Sequence, residues 1–289
     1  MADEAPKEYH LHKHQPSKLQ LAVRDLAPYL KKHGDKATKA HSHSYYQIIL
    51  FATEGRHYVD YEVASHARQT AFVLLPGQIH YFCPDALNEG RIIQFNEQFL
   101  ARFDPKARDV IEYRLFNELT PENLTIAGPE WERICGILDL LEHEIADKKN
   151  DYPTQSYHLL RTLITYLERA QEVQYGAIPA ASKDYRMALK FKRLIQDKIT
   201  TFPELAQYAA WLNTSTKTLS RISKRYWNDT PANVIKKRKI LEAKRLLANR
   251  QIQVKEVGYS LGFEEPSNFS KYFSKVVGMR PKEFQQQLP

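Results

Sequence analysis

Apolar positions along the 289-residue chain follow two different periods. Between His41 and Phe95 they come in short alternating runs cut by Gly and Pro, the pattern of half-buried strands. The runs predict strands over His41–Phe51, Arg56–Val63, Ala71–Leu75, Ile79–Phe82 and Arg91–Phe95. Glu54-Gly55, Pro76-Gly77 and Asn88-Glu89-Gly90 are the expected turns. Strands this short and regular indicate a small β-barrel or sandwich. The polar lead-in carries one short helical candidate, Leu19–Lys32. Beyond about Asn96 the spacing becomes three or four: Trp131, Ile134, Leu138, Leu141 and Ile145, then Leu160, Leu163, Leu167 and Ala170. Gly176 to Ser182 interrupts this period and reads as a linker. The chain is then helical to its end, with breaks at Asn213, Asn228–Pro231, Leu261–Pro266 and Gly278–Pro281.

The final helical stretch contains one pattern twice. Pro203–Asn213 followed by Ser215–Trp227, and Val254–Phe263 followed by Pro266–Val277, each read as short helix, tight turn, longer helix. Asn213 and Gly262 stand where a helix end needs the left-handed conformation those residues tolerate. Ser215 and Ser267 are placed to serve near the N-termini of the following helices. In the first longer helix Leu219, Ile222 and Tyr226 share an apolar face opposite Lys217, Ser220, Arg221, Lys224 and Arg225. In the second, Phe269, Tyr272 or Phe273, and Val276 oppose Asn268, Lys271 and Lys275. Cations and short polar groups early in a helix suit the major groove, where Arg or Lys reads guanine and Asn reads adenine.

Charge sharpens that reading. From Lys183 onward there are 22 Lys and Arg against 9 Asp and Glu, a surplus of 13, whereas the whole chain carries +8 and its front therefore −5. A basic module on a mildly acidic body is the pattern of a nucleic-acid-binding tail. All 11 histidines lie at or before His158. No run approaches eighteen apolar residues, and the polar N-terminus lacks the apolar core of a signal peptide. The two cysteines, Cys83 and Cys135, have no metal-type spacing. The expected location is the cytoplasm, with no membrane partner.

Over about Met187 to Phe284 the sequence resembles the AraC family of bacterial transcription regulators. The resemblance rests on Lys255-Glu-Val-Gly-Tyr-Ser-Leu-Gly-Phe263 followed by Phe269, Phe273, Gly278, Pro281 and Phe284. It implies two helix-turn-helix units joined by a long helix, about Pro231–Ala248, whose recognition helices enter successive major grooves one turn apart. By position it implies base contacts from Lys217, Ser220 and Arg221, and from Ser267, Asn268 and Lys271. Gly258 departs from the family's usual Ala, and Pro266 replaces a position some members use on bases.

In the front, His41, His43 and Gln47 are odd-numbered residues expected on one strand face, with His80 brought beside them from a paired strand. This part resembles a cupin barrel, whose metal-binding members place two His, a Glu and a third His at this spacing. Gln47 occupies the carboxylate's place, which weakens any divalent site. Three uses stay open: a metal-free effector pocket formed by His41, His43, Tyr45, Gln47 and His80; a metal held by the imidazoles; or core histidines satisfied by neighbours. Tyr45, Phe51, Phe72, Phe82 and Phe95 either line a cavity or form plain core. His10, His12 and His14 make an alternating run that binds metals opportunistically.

The resulting expectation is an α+β multidomain protein. Residues 1–115 form a cupin-like sensing domain, 116–175 a helical dimerisation segment, 176–184 a linker, and 185–289 an all-α DNA-binding domain. It is a non-enzymatic, sequence-specific regulator of transcription that needs no cofactor. Its partners are double-stranded DNA, a small-molecule effector, a second copy of itself and RNA polymerase. The alternatives are an effector-independent regulator whose front only dimerises, and a metal-dependent cupin enzyme with a DNA-targeting tail.

Overall fold

A computed structural model describes residues 6–12, 18–105, 115–116, 123–176, 182–201 and 203–287. Most of the 176–184 linker and His14 lie outside the described residues. The chain divides into two units, Lys7–Ile178 and one built on Pro179–Pro289.

The first unit begins with β1 (Lys7–Tyr9), β2 (Leu21–Asp25) and α1 (Leu26–Ala37). β3 (His41–His43), β4 (Tyr46–Phe51), β5 (Gly55–Val59), β6 (Glu62–His66), β7 (Thr70–Leu74), β8 (His80–Phe82) and β9 (Gly90–Phe95) follow. α2 (Glu97–Phe103), β10 (Asn123–Thr125), α3 (Gly128–Asp147) and α4 (Tyr152–Tyr175) complete it. The strands form two five-stranded sheets, ordered β1-β3-β8-β5-β6 and β10-β7-β4-β9-β2. Alternation then sorts the second sheet's residues onto two cores. Ile49, Phe51, Phe72, Leu74 and Ile92 meet Val59 and Phe82 of the first sheet. Ile48, Leu50, Val73, Ile93 and Phe95 face Ile134, Leu138, Leu160, Leu163 and Leu167 of α3 and α4. The predicted helix periodicity of α3 and α4 is thus spent within the chain, on the sheet. Arg91 ties the layers together, donating to Asp25, to Asp139 at 2.7 Å and to Glu142. Phe51, Phe72, Phe82 and Phe95 are core residues.

Several expected elements divide differently. Leu19–Lys32 is not one helix: Leu21–Asp25 pairs with β9 as an edge strand, and the helix starts at Leu26. The sheet's unpaired edge overrides a weak local preference there. His41–Phe51 splits at Ser44-Tyr45, placing its halves in different sheets. Arg56–Val63 is a hairpin with Asp60 and Tyr61 at positive φ, an unusual choice that no turn dipeptide announced.

The second unit is helical throughout: α5 (Lys183–Asp197), α6 (Leu205–Trp211), α7 (Thr216–Trp227), α8 (Pro231–Leu247), α9 (Val254–Ser260), α10 (Pro266–Val277) and α11 (Pro281–Gln287). α6–α7 and α9–α10 are the two helix-turn-helix units. Asn213 and Gly262 take φ of +50° and +82° at the two turns, as expected. Both units also start with reciprocal capping: Gln207 accepts from the Glu204 backbone and Glu256 from the Gln253 backbone, each at 2.8 Å. Phe191, Ile195, Tyr208, Leu219 and Val234 form the first core. Phe269 stacks edge-on with Phe263 and packs on Phe273, which meets Phe284, to build the second.

Candidate functional sites

The recognition helices α7 and α10 bury one face and expose the other. Leu219 and Ile222 are fully buried in α7, while Lys217, Ser220, Arg221, Lys224 and Arg225 are exposed. In α10, Phe269 and Phe273 are buried, and Ser267, Asn268 and Lys271 are exposed. Ser215 caps α7, its hydroxyl accepting from the Thr218 backbone at 3.1 Å. Ser267 does not cap α10: Glu265 takes that position and Pro266 opens the helix, which moves Ser267 onto the exposed first turn. Ser220 donates to its own helix at Thr216, leaving the oxygen free to accept only.

Arg221 has a partner that the sequence did not announce. Its two terminal nitrogens donate to the Asp184 carboxylate at 2.5 and 2.7 Å, and Arg225 lies 3.4 Å from the same group. Hydrogen bonds from Arg221 hold the Asp184 carboxyl below its ordinary range. Deeper in the unit, Lys239 of α8 donates to the carbonyls of Thr201 and Leu261 at 3.2 and 3.0 Å. Burial pushes its pKa down to about 8.

In the first unit His41 and His80 are direct cross-strand partners. His43, two residues along, and His57, on the strand across β8, complete a buried row. Nε2 of His43 lies 2.7 Å from Nε2 of His80, and Nδ1 of His80 lies 3.1 Å from Nε2 of His57. His41 Nδ1 donates to the Lys39 carbonyl at 2.8 Å, which leaves Nε2 as its lone-pair nitrogen. Burial lowers the pKa of all four imidazoles, that of His57 to about 3, so they are neutral at pH 7.

Neutral imidazoles without a carboxylate suit a borderline ion such as zinc better than magnesium or calcium. Ligand nitrogens of His41, His43 and His80 lie within 4.8 Å of one another. However, tetrahedral zinc at about 2.05 Å would hold its nitrogens roughly 3.3 Å apart. The 2.7 Å between His43 and His80 is a hydrogen bond, so the arrangement is a hydrogen-bonded row that a metal would have to open.

Tyr45 stacks on His43, with ring centres 4.4 Å apart. Gln47 does not join the histidines as alternation along one strand predicted, because the break after His43 puts it in the other sheet. There it accepts from Gln94 at 3.0 Å, and Gln94 also donates to the Tyr45 hydroxyl at 3.0 Å. Sequence reading missed His57, Gln94 and Arg24. Arg24 carried a signal, a charge on the face of β2 that also holds Ala22; pairing with β9 turns that face inward. A cavity of about 340 Å³ opens beside the row, lined by His41, Tyr45, Arg24 and Gln94 among others. His43, Gln47 and His80 do not line it.

A helix-turn-helix domain model matches residues 208–287, from within α6 to α11. The chain is 27% identical over 252 residues to the uncharacterised helix-turn-helix-type transcriptional regulator YobQ of Bacillus subtilis, covering 86% of this chain and 89% of that protein. It is 23% identical over 202 residues to the transcriptional activator RhaS of an Enterobacter species, covering 60% and 72%. Among solved structures, ToxT of Vibrio cholerae aligns over 93% of this chain and 99% of its own, with a TM-score of 0.46 and 14% identity.

Proposed function

We propose, from the premise that this chain is a DNA-binding transcription regulator of the AraC family, that α7 and α10 read bases in two successive major grooves. We further propose that a small molecule bound in the first unit alters that binding. The observation carrying the first part is the matched pair of units. Both repeat the same capping, the same left-handed turn and the same division between buried and exposed faces. In this reading Lys217, Arg221, Asn268 and Lys271 face base edges, while Lys224 and Arg225 hold phosphates. Ser220 and Ser267 fill the remaining first-turn positions.

The effector reading rests on the cavity beside His41 and Tyr45. An effector acts only by binding one arrangement of the protein better than another. The chain is read as a cytoplasmic, non-enzymatic regulator that pairs with a second copy and meets RNA polymerase at promoters. Among the described residues no helix is long and apolar enough to cross a membrane.

The test is capture of genomic fragments by the purified protein at near-physiological salt, followed by sequencing. The expected result is sites with two motifs about 10–10.5 base pairs apart. Fragments without a shared motif would reduce the binding to nonspecific electrostatics. DNA affinity indifferent to every metabolite tried at those sites would favour the effector-independent reading.

A further inference from the structure

We propose that the cavity of the first unit is an anion site, and that its ligand is a small organic carboxylate with a flat apolar body. This rests on the effector reading for its regulatory meaning, but not for the binding itself. The cavity is lined by the N-terminal segment, α1 and the inner edge of the second sheet. β1 pairs in parallel with β3, and buried Leu11 packs with Ala22 and Tyr45, so the segment Tyr9–His12 is seated over the cavity. Among the described residues its lining contains Arg24, Lys36, His10, His12 and His33, and no Asp or Glu. The Glu8 carboxylate of β1 lies 3.6 Å from Nε2 of His10.

Arg24 is the decisive residue. It is partly buried on the inner face of β2, and one terminal nitrogen donates to the side-chain oxygen of Gln94. Gln94 spends its amide nitrogen on Tyr45 and Gln47, which fixes that oxygen toward Arg24. The fork is thereby oriented, and among the described residues its Nε and second terminal nitrogen have no further partner. No carboxylate among the described residues pairs with Arg24 or Lys36. A guanidinium drawn from water without a counter-charge is costly, and a two-oxygen anion on its open edge would offset that cost. The local field is positive: burial and then the charges of Lys18 and Arg24 lower the pKa of His12, and burial, Lys32, Lys36 and Arg24 do so for His33. Tyr9, Tyr29 and Tyr45 supply flat walls. The volume of about 340 Å³ sits at the small end of the roughly 300–1,000 Å³ range of small-molecule sites.

The experiment compares 2-naphthoate with uncharged 2-naphthamide by calorimetry on the full chain, and repeats it with Arg24→Gln. The expected result is millimolar or tighter binding of the acid, at least tenfold weaker binding of the amide, and a loss of at least tenfold in Arg24→Gln. Arg24→Gln should melt close to the unchanged protein, because the charge it removes has no carboxylate partner among the described residues and the Gln94 contact is the one hydrogen bond it gives up there. Should that variant not fold, exposed Lys36→Gln is expected to weaken the acid about threefold. Equal binding of acid and amide, no binding of either, or acid affinity indifferent to both substitutions would overturn the proposal. DNA affinity measured separately with saturating acid tests the regulatory reading, so the two can fail apart.

Discussion

At Arg221 both terminal nitrogens donate to Asp184, and these are also donors that a bidentate contact to guanine would use. Protein carboxylate and base therefore compete for one fork. Removing the competitor should help the complex: Asp184→Asn is expected to raise DNA affinity by roughly two- to fivefold, since an exposed ion pair is weak. Arg221→Ala should lower it by roughly five- to a hundredfold and relax preference at one base pair. Fluorescence anisotropy on a site and its single-base variants reads both, and a weaker complex in Asp184→Asn would refute the competition. Arg221 was legible from helical spacing alone. Asp184 lies 37 residues away on α5, and no local pattern pairs it with Arg221.

The two recognition helices start differently, and their stability should show it. Ser215→Ala removes the hydroxyl that caps α7 and should destabilise the second unit by about 0.5–2 kcal/mol in denaturant titration. Ser267→Ala touches no cap and should leave that midpoint unchanged while altering DNA affinity. Gly258 is explained at the same scale. A Cβ built there lies 3.1 Å from Cβ of Phe269, so α9 approaches α10 more closely than most side chains permit. Alanine would gain about 1 kcal/mol of helix propensity against that crowding. Valine adds branched atoms at the same point, and Gly258→Val should destabilise by about 1–3 kcal/mol, read as a shifted melting temperature. The departure from Ala at Gly258 was visible in the sequence, but its cause was not, because the approach depends on how two helices pack.

Across the whole molecule, pH should act on the two units from opposite ends of the scale. His41, His43, His57 and His80 have folded pKa values below the unfolded 6.5. Below 6.5 the unfolded chain therefore binds more protons, and the first unit loses stability as pH falls. Lys239 has a folded pKa of about 8 against an unfolded 10.5. Between those values the unfolded chain again binds more protons, so the Lys239 contribution grows as pH rises. Melts followed by circular dichroism from pH 5 to 9.5 should show a front transition that falls below pH 6.5. They should also show a second-unit transition that rises above pH 8. His80→Phe and Lys239→Met, which cannot titrate, should flatten their respective slopes; unchanged slopes would contradict the assignment.

The chain order of amino acids determined on its own the helical periods, the doubled helix-turn-helix pattern, the basic surplus of the last third and the left-handed turns at Asn213 and Gly262. Each depends on neighbours within a few residues, or on simple counts. Tertiary structure alone decided which distant groups meet. The break after His43 sends His41 and Gln47 to different sheets. Strand pairing sets His41 opposite His80 across β3 and β8, and brings His57 of β5 diagonally beside His80, opposite Phe82. The edge position of β2 turns Arg24 into the sandwich, and the α5–α7 packing brings Asp184 to Arg221. A strand's alternation says which residues share a face, but only its partners and its sheet determine what that face meets.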